Sequence, residues 1–278
     1  MGQDDELAGF ERHVRGCNNA SIPGGRMRFL IGGEPVGWAA PRIVGALEAM
    51  DGVGRTPEGI TLAAGAALAG ISRALAERGL YRWRGEEFDV RAMPEGPVLA
   101  RIDRGAIPSF GVQAVGVHVN GLVRRADGLH MWIAIRASDK LLDPGKLDHI
   151  VAGGVPAGLD PAATLLKEAE EEAAIPPELA GTAEPAGVIE YAMERPEGLR
   201  RDRVHCYDLM LPDDFTPLAA DGEVEAFELW PLSRAIGVVR DTNDFKFNVN
   251  LVLIDLFLRQ GLIGGPGAGR LRAGLRQG

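Results

Sequence analysis

Residues 167–172 read KEAEEE, and the four glutamates of this run could bind a cation. A helix turns by about 100° per residue, so Glu168, Glu171 and Glu172 share one face while Glu170 lies roughly opposite. Like charges held this close repel one another and raise the pKa of at least one carboxylate unless a cation compensates. Mg²⁺ prefers a few carboxylates together with water and phosphate oxygens. The spacing alone therefore leaves two interpretations open, a divalent-metal site and a solvated acidic face.

The helix that must carry these glutamates has a clear start. Asp160 fits an N-cap and Pro161 fits the first helical turn, which predicts a helix from residue 161 to about 174. Its apolar residues form a stripe beside the acidic face, so the helix can pack on a sheet and still present three carboxylates at its edge.

The stretch 152–175, AGGVPAGLDPAATLLKEAEEEAAI, resembles the Nudix box, G-x5-E-x7-R-E-U-x-E-E-x-G-U with U an aliphatic residue. Gly153 matches the opening glycine and Lys167 takes the position of the arginine. The resemblance implies that Glu168, Glu171 and Glu172 bind Mg²⁺ or Mn²⁺. It also implies hydrolysis of a nucleoside diphosphate linked to another group, or of a related diphosphate.

Three positions depart from the pattern: Leu159 replaces the first glutamate, Lys167 the arginine and Ala174 the late glycine. An arginine–glutamate contact that could brace the box is therefore unavailable at both ends, because lysine lacks the bidentate fork and leucine carries no charge. These departures bear on the geometry of the box and on the rate more than on metal binding.

A longer resemblance covers residues 131–175, 221–232 and 243–261, together with the elements Val36-Gly37-Trp38 and Trp83 to Glu86. These stretches are similar to the Nudix branch associated with thiamine pyrophosphokinase. The resemblance implies hydrolysis of thiamine diphosphate, or of its damaged oxo and oxy analogues, to the monophosphate.

Diphosphate hydrolysis needs a base for the attacking water, and the sequence offers Glu171, Glu223 and Glu225. Each strand carboxylate has a plain alternative as an exposed surface group. Together with the box position Lys167, we predict Glu171 and Glu225 as the catalytic residues.

Cationic and aromatic groups of the same region are candidates to bind the substrate. Trp132 could stack on a cationic thiazolium ring, although a tryptophan in an alternating strand is more often core. The remaining substrate candidates are two box glycines and four cationic side chains, which could equally be surface charges: Gly153, Gly154, Arg136, Lys140, Lys146 and Arg203. The histidines His118, His130 and His205 are too scattered along the chain to predict a metal triad.

The composition excludes several classes of partner. The 278 residues carry a net charge of -9, which argues against nucleic-acid binding, and no apolar run is long enough to predict a membrane span. Two cysteines, Cys17 and Cys206, are too few for a disulfide framework, and residues 1–10 do not resemble a secretory signal. We expect a cytoplasmic protein whose partner is a small-molecule diphosphate. The sequence leaves the oligomeric state open, a homodimer included.

The order of predicted elements indicates an α/β fold, a Nudix α/β/α sandwich around a mixed sheet with a small N-terminal α+β domain. We place the N-terminal domain at residues 1–108, where it could contribute to the substrate pocket, the Nudix domain at 109–262, and a flexible tail at 263–278. The turn of the first hairpin is predicted either at Asn120-Gly121 or at residues 126–128.

Three other functions fit part of the pattern. The first is hydrolysis of another diphosphate, such as a nucleoside diphosphate sugar. The second, a Nudix-type isomerase of isopentenyl diphosphate, would need an active-site cysteine, and neither Cys17 nor Cys206 is convincingly placed. The third is a ligand-binding regulator without turnover, which the retained glutamates argue against.

Overall fold

The computed structural model describes residues 3–139, 142–219 and 222–277. The chain begins with helix α1 (Gln3–Cys17) and continues into a small unit of strands and helices. That unit contains β1 (Met27–Ile31), β2 (Glu34–Ala39), α2 (Pro41–Leu47), β3 (Val53–Thr56), β4 (Gly59–Leu62), α3 (Leu68–Glu77), β5 (Glu87–Val90), β6 (Ala100–Asp103) and α4 (Ile107–Phe110).

Strands β1 to β4 form one sheet in the order β2-β1-β4-β3, in which β1 and β4 run parallel. Strands β5 and β6 form a separate antiparallel pair. The apolar side chains of these elements share one core, with Phe29, Leu47, Leu75 and Phe110 buried in it. The α+β character expected of this region is therefore present in the structure.

The rest of the chain supplies a larger sheet and its helices. These elements are β7 (Gln113–Arg125), β8 (Gly128–Arg136), β9 (Leu147–His149), β10 (Val151–Gly154), α5 (Pro161–Ala173), α6 (Pro177–Ala180), β11 (Glu184–Arg195), β12 (Gly198–Met210), β13 (Val224–Pro231), α7 (Leu232–Asp241), α8 (Val249–Arg259) and α9 (Ala268–Gly274).

The large sheet has seven strands and is mixed. Its main order is β11-β12-β7-β8-β13, while β10 pairs with β7 and β9 with β8. Strands β12 and β7 run parallel, and the other neighbours run antiparallel. Helices α5 and α6 cover one face, and α1, α7, α8 and α9 cover the other. This is an α/β/α sandwich around a mixed sheet, so the predicted fold class is confirmed.

Helix α5 begins and ends where local chemistry dictates. The Asp160 carboxylate accepts a hydrogen bond from the Ala163 amide at 2.7 Å, and Pro161 occupies the first turn, as predicted. The helix stops at Ala174, whose φ of 51° lies in the left-handed region. Leu165 and Ala169 are buried against the sheet. The acidic run is thereby fixed on a helix that cannot rotate about its axis.

The first hairpin turns at residues 126 and 127, between β7 and β8, as one of the two alternatives predicted. Asn120-Gly121 instead lies inside β7. Asn120 is fully buried and donates to the Asp208 carboxylate at 2.7 Å. A Cβ at residue 121 would lie 2.7 Å from Ile150 Cγ2. The glycine is therefore required for close packing and not for a turn.

The sequence predicted a flexible tail at residues 263–278, but the described part of this segment contains a packed helix, α9. Leu271 and Leu275, one helical turn apart, are 1% and 3% exposed. Leu275 also accepts a backbone hydrogen bond from Glu190 at 3.0 Å. The Gly- and Arg-rich composition concealed this short apolar stripe. The tail prediction is therefore wrong for α9.

Helix α1 packs on the larger sheet and its helices, with Phe10 buried in the same core as Phe257 of α8. The predicted boundary of 1–108 grouped α1 with the N-terminal strands. Because α1 is far along the chain from the seven-stranded sheet, the sequence did not indicate that α1 would cover the face of that sheet opposite α5.

Candidate active site

Glu172 and Glu168 of α5 lie against strand β10. Glu172 is 7% exposed, and its carboxylate accepts a hydrogen bond from the Ala152 amide at 2.9 Å. Glu168 lies so close to Gly153 that a Cβ there would be 2.7 Å from its carboxyl carbon. Gly153, predicted to bind substrate, thus makes room for the Glu168 side chain.

Both carboxylates are electrostatically strained. Burial raises the pKa of Glu172 well above its usual range, and the nearby Asp148, Glu168 and Glu223 raise it further against the opposing Ala152 hydrogen bond. Burial also raises the pKa of Glu168, although Lys167 acts in the opposite direction. These groups repel one another in a partly desolvated place.

A small cavity lies beside Glu172. Its lining combines side chains of β8, the β9–β10 segment, α5 and the start of β13: Ala134, Arg136, Asp148, His149, Ala152, Glu172, Glu223 and Val224. Glu223 is thereby brought to the acidic helix, and its charge raises the pKa of both Glu168 and Glu172. Glu225 is exposed at an irregularity of β13 and does not line this cavity. Of the two strand glutamates, the structure places Glu223 at the site.

Lys167 and Glu171 pair with each other on the outer side of α5. Lys167 Nζ lies 2.5 Å from a Glu171 oxygen and 3.0 Å from a Glu168 oxygen. These contacts, first of all the one with Glu171, raise the pKa of Lys167. Glu171 is half exposed, whereas Glu168 is mostly enclosed. Glu170 is exposed, in agreement with the helical spacing.

The donor set fits a divalent cation. Two enclosed carboxylates on one helix face, Glu168 and Glu172, have raised pKa values, with a third carboxylate, Glu223, close by. A hard dication would offset their mutual repulsion and take the oxygen ligands it prefers. Glu171, also predicted as a ligand, is the more exposed carboxylate and pairs with Lys167.

Arg136, predicted to bind substrate, has each of its guanidinium nitrogens engaged within the protein. It donates to the backbone oxygens of Asp143 and Leu142 and to the Asp148 carboxylate at 2.7 Å. Lys246 also contacts Asp148, at 3.1 Å. Burial would raise the pKa of Asp148, but Lys246 and its cationic neighbours hold that pKa well below its usual range. The arginine therefore fixes the floor of the site.

The other cationic candidates are also paired. Lys146 donates to the Asn243 backbone oxygen at 2.5 Å, and Arg203 to the Glu190 carboxylate at 2.7 Å. The structure does not bring either into the cavity lining. Lys140 lies outside the described residues.

Trp132 and Gly154 occupy packed positions. Trp132 is 9% exposed and belongs to the core beneath α5, with its indole nitrogen buried and unpartnered. The ring of Phe88 from β5 lies where a Gly154 side chain would be. These positions leave both substrate-binding predictions untested.

A buried pair of histidines lies behind the site. His118 Nδ1 and His149 Nδ1 are 2.8 Å apart, and Asn248 Nδ2 is 3.2 Å from His118 Nε2. Burial lowers the pKa of His149 to about 4 and also lowers that of His118 well below its usual range. Both rings are therefore neutral at pH 7. His118, one of the histidines that the sequence showed as scattered, therefore pairs with His149 in the fold. Spacing along the chain did not reveal this contact.

His118, Asp148 and His149 form a compact group of potential metal ligands within the described part of the chain. Their ligand atoms lie within 4.8 Å of one another. Asp148 is already neutralised by Arg136 and Lys246, and a further cation there would be repelled. The glutamates of α5 are the better cation site on electrostatic grounds.

Comparison with known proteins finds a matching family model and similar curated proteins. The family described as "Domain of unknown function (DUF4743)" matches residues 9–114. Nudix hydrolase 20, chloroplastic, of Arabidopsis thaliana is 39% identical over 206 residues, which cover 74% of this chain and 55% of that protein. Nudix hydrolase 24, chloroplastic, of the same plant is 41% identical over 198 residues, covering 71% and 54%.

The chain thus spans about half the length of these curated relatives. Among solved structures, DR0079 from Deinococcus radiodurans is similar with a TM-score of 0.45 and 19% identity, over 69% of this chain and 100% of that one. Both plant relatives carry the name Nudix hydrolase, and the region of this chain that matches them is similar to proteins of that name.

Two further observations concern other classes of function. Within residues 3–139, 142–219 and 222–277, no helix is both long and apolar enough to cross a membrane. Cys17 and Cys206 are buried, and burial raises the pKa of the Cys17 thiol to about 12 and that of Cys206 further. Neither thiol is suited to active-site chemistry.

Proposed function

We propose that the protein is a Mg²⁺- or Mn²⁺-dependent diphosphate hydrolase that converts thiamine diphosphate, or a damaged oxo or oxy analogue, to the monophosphate and phosphate. The observation that carries this proposal is the convergence of Glu168, Glu172 and Glu223. Burial, together with the charge of neighbouring carboxylates, raises the pKa of Glu168 and Glu172. Carboxylates held together in this way are typical of a cation site.

Glu168 and Glu172 would hold the ion, with Glu171 at the outer edge. A divalent ion bound there would neutralise charge on the diphosphate oxygens and lower the pKa of an attacking water. In the reaction, the oxygen of water bonds to the terminal phosphorus and the bond from that phosphorus to the bridging oxygen breaks.

Glu223 is the base that we propose for the attacking water, in place of Glu225. It lines the same cavity as Glu172, and Glu225 does not. A carboxylate at the edge of this cavity can accept a proton from a water bound beside Glu172. Glu171 is a weaker candidate because Lys167 already occupies its carboxylate.

The choice of thiamine diphosphate rests on the resemblance of residues 131–175 and of the Val36-Gly37-Trp38 and Trp83 to Glu86 elements to the thiamine-associated Nudix branch. The names of the two plant relatives specify hydrolysis of no particular diphosphate. The substrate therefore has to be found by direct comparison.

The test is a panel of thiamine diphosphate, oxothiamine diphosphate, ADP-ribose and a nucleotide sugar, each with Mg²⁺. We expect the fastest cleavage, measured as loss of the intact diphosphate, for a thiamine compound. Preferred cleavage of ADP-ribose or the sugar nucleotide would replace the substrate but keep the hydrolase. Tight binding of a panel member without any cleavage would instead identify a ligand-binding regulator.

A further inference from the structure

The loop that leads into α5, residues 155–159, is held by strand β5 of the N-terminal unit. The Ala157 amide donates to the Glu87 backbone oxygen at 2.7 Å. The next amide, Gly158, donates to the Asp89 carboxylate at 3.3 Å. Successive loop amides thus bond to alternate residues of one strand.

Phe88, the residue between Glu87 and Asp89, fills the space beside the loop. Phe88 is 5% exposed, and its ring lies 2.6 Å from the position a Cβ would take at Gly154. Gly153, the neighbouring residue, is in close contact with the Glu168 side chain. Strand β5 therefore packs on Gly154, the neighbour of the glycine that makes room for the Glu168 side chain.

Asp89 is itself held in place. Its side chain is 13% exposed and lies 3.2 Å from an Arg91 nitrogen and 3.4 Å from the Arg101 Nε. The two arginines hold the carboxylate in place beside the loop. The Gly158 amide therefore donates a charge-assisted hydrogen bond to a carboxylate that is held in a fixed position.

The loop has lost the internal support that its sequence pattern would offer. Leu159 stands at the position of a glutamate and is 37% exposed. Lys167, at the position of an arginine, is turned to Glu168 and Glu171. No charge pair can therefore join residues 159 and 167.

We propose that Asp89 and Phe88 are positioning residues, which brace the box loop from outside and so hold the Gly153–Glu168 contact in place. The N-terminal unit thereby supplies in space the support that Leu159 and Lys167 cannot supply within the box. The catalytic consequence of this brace rests on the proposed hydrolase function, but the brace itself does not.

The experiment compares full-length wild type with Asp89→Ala, Asp89→Asn and the control Glu86→Ala, whose native carboxylate pairs with Arg104 at 2.8 Å. Amide hydrogen exchange is followed across residues 155–159. A hydrogen bond to a charged group is worth ~1.5–3 kcal/mol, so Asp89→Ala should speed exchange at Gly158 by about tenfold or more. Asparagine keeps an acceptor oxygen and should restore most of the protection.

Hydrolysis is measured on the same four proteins with the best substrate of the panel. Asp89→Ala should lower kcat with little change in KM, and Asp89→Asn should recover most of kcat. Unchanged exchange in Asp89→Ala, or equal loosening by Glu86→Ala, overturns the brace. Faster exchange with unchanged kcat overturns its positioning role. If wild type cleaves no diphosphate, the proposed function fails while the exchange data still decide the brace.

Discussion

Replacing Glu172 by glutamine should stabilise the metal-free protein while removing its metal response. Glutamine has nearly the same shape and keeps an oxygen for the Ala152 amide, which now bonds Glu172 at 2.9 Å. It lacks the negative charge that burial and neighbouring carboxylates oppose. The substitution therefore removes an unfavourable charge without opening a cavity.

The sign of the pH effect follows from the raised pKa. Below the ordinary glutamate pKa of 4.5, Glu172 is protonated in both the folded and the unfolded chain. Above that value the unfolded chain releases the proton while the folded chain retains it, so the unfolded state is stabilised relative to the folded state. Each pH unit above 4.5, up to the folded pKa, should cost wild type about 1.4 kcal/mol relative to the glutamine variant.

The assay is urea unfolding in EDTA between pH 4 and pH 8 for wild type, Glu172→Gln and the control Glu170→Gln. Glu172→Gln should lose less stability than wild type as the pH rises, and Glu170→Gln should follow wild type because Glu170 is exposed. Mn²⁺ at 100 times its Kd should then stabilise wild type by about 2.7 kcal/mol and the glutamine variant far less. Parallel pH curves, or equal stabilisation by Mn²⁺, would refute the reasoning.

Three other predictions follow from the placement of single residues. Glu223→Gln should lower kcat by ~10²–10⁴-fold in steady-state kinetics, as loss of a general base does, whereas Glu225→Gln should stay near wild type; equal effects would remove Glu223 from the proposed role. Ala174→Gly should raise the free energy of unfolding by about 0.5–1 kcal/mol, because φ is 51° there and glycine adopts this conformation without strain. A loss of stability in urea unfolding would count against this explanation of the helix end. Leu271→Ala should lower the free energy of unfolding by about 2–5 kcal/mol in the same assay, since the side chain is 1% exposed in a packed helix. An unchanged free energy of unfolding would mean that the C-terminal segment does not hold the core together.

Features encoded by local spacing could be predicted from the sequence. The start of α5 at Asp160-Pro161, the outward direction of Glu170 and the alternation of the β7–β8 hairpin depend on residues only a few positions apart. Local patterns of this kind decide which face of an element is polar. They also led to the sandwich architecture through the order of strands and helices.

Features that depend on distant residues could not be read in this way. Glu223 rather than Glu225 reaches the cavity because β13 has an irregularity between Val224 and Ala226, which changes the alternation of its side chains. His149 meets His118 because β9 and β10 insert beside β7 and β8. Charge type alone suggested Arg136 for substrate, and only its internal partners show that it supports the floor of the site.

The central claim is that the carboxylates of α5 hold a divalent ion that drives diphosphate hydrolysis. Its most direct test is phosphate release from thiamine diphosphate and its oxo analogue by wild type, Glu170→Gln and Glu172→Gln, with Mg²⁺ and with EDTA. The account predicts Mg²⁺-dependent release by wild type and Glu170→Gln, and a loss of at least about 100-fold in Glu172→Gln. Equal release by Glu172→Gln and wild type, or release that persists undiminished in EDTA, would contradict it.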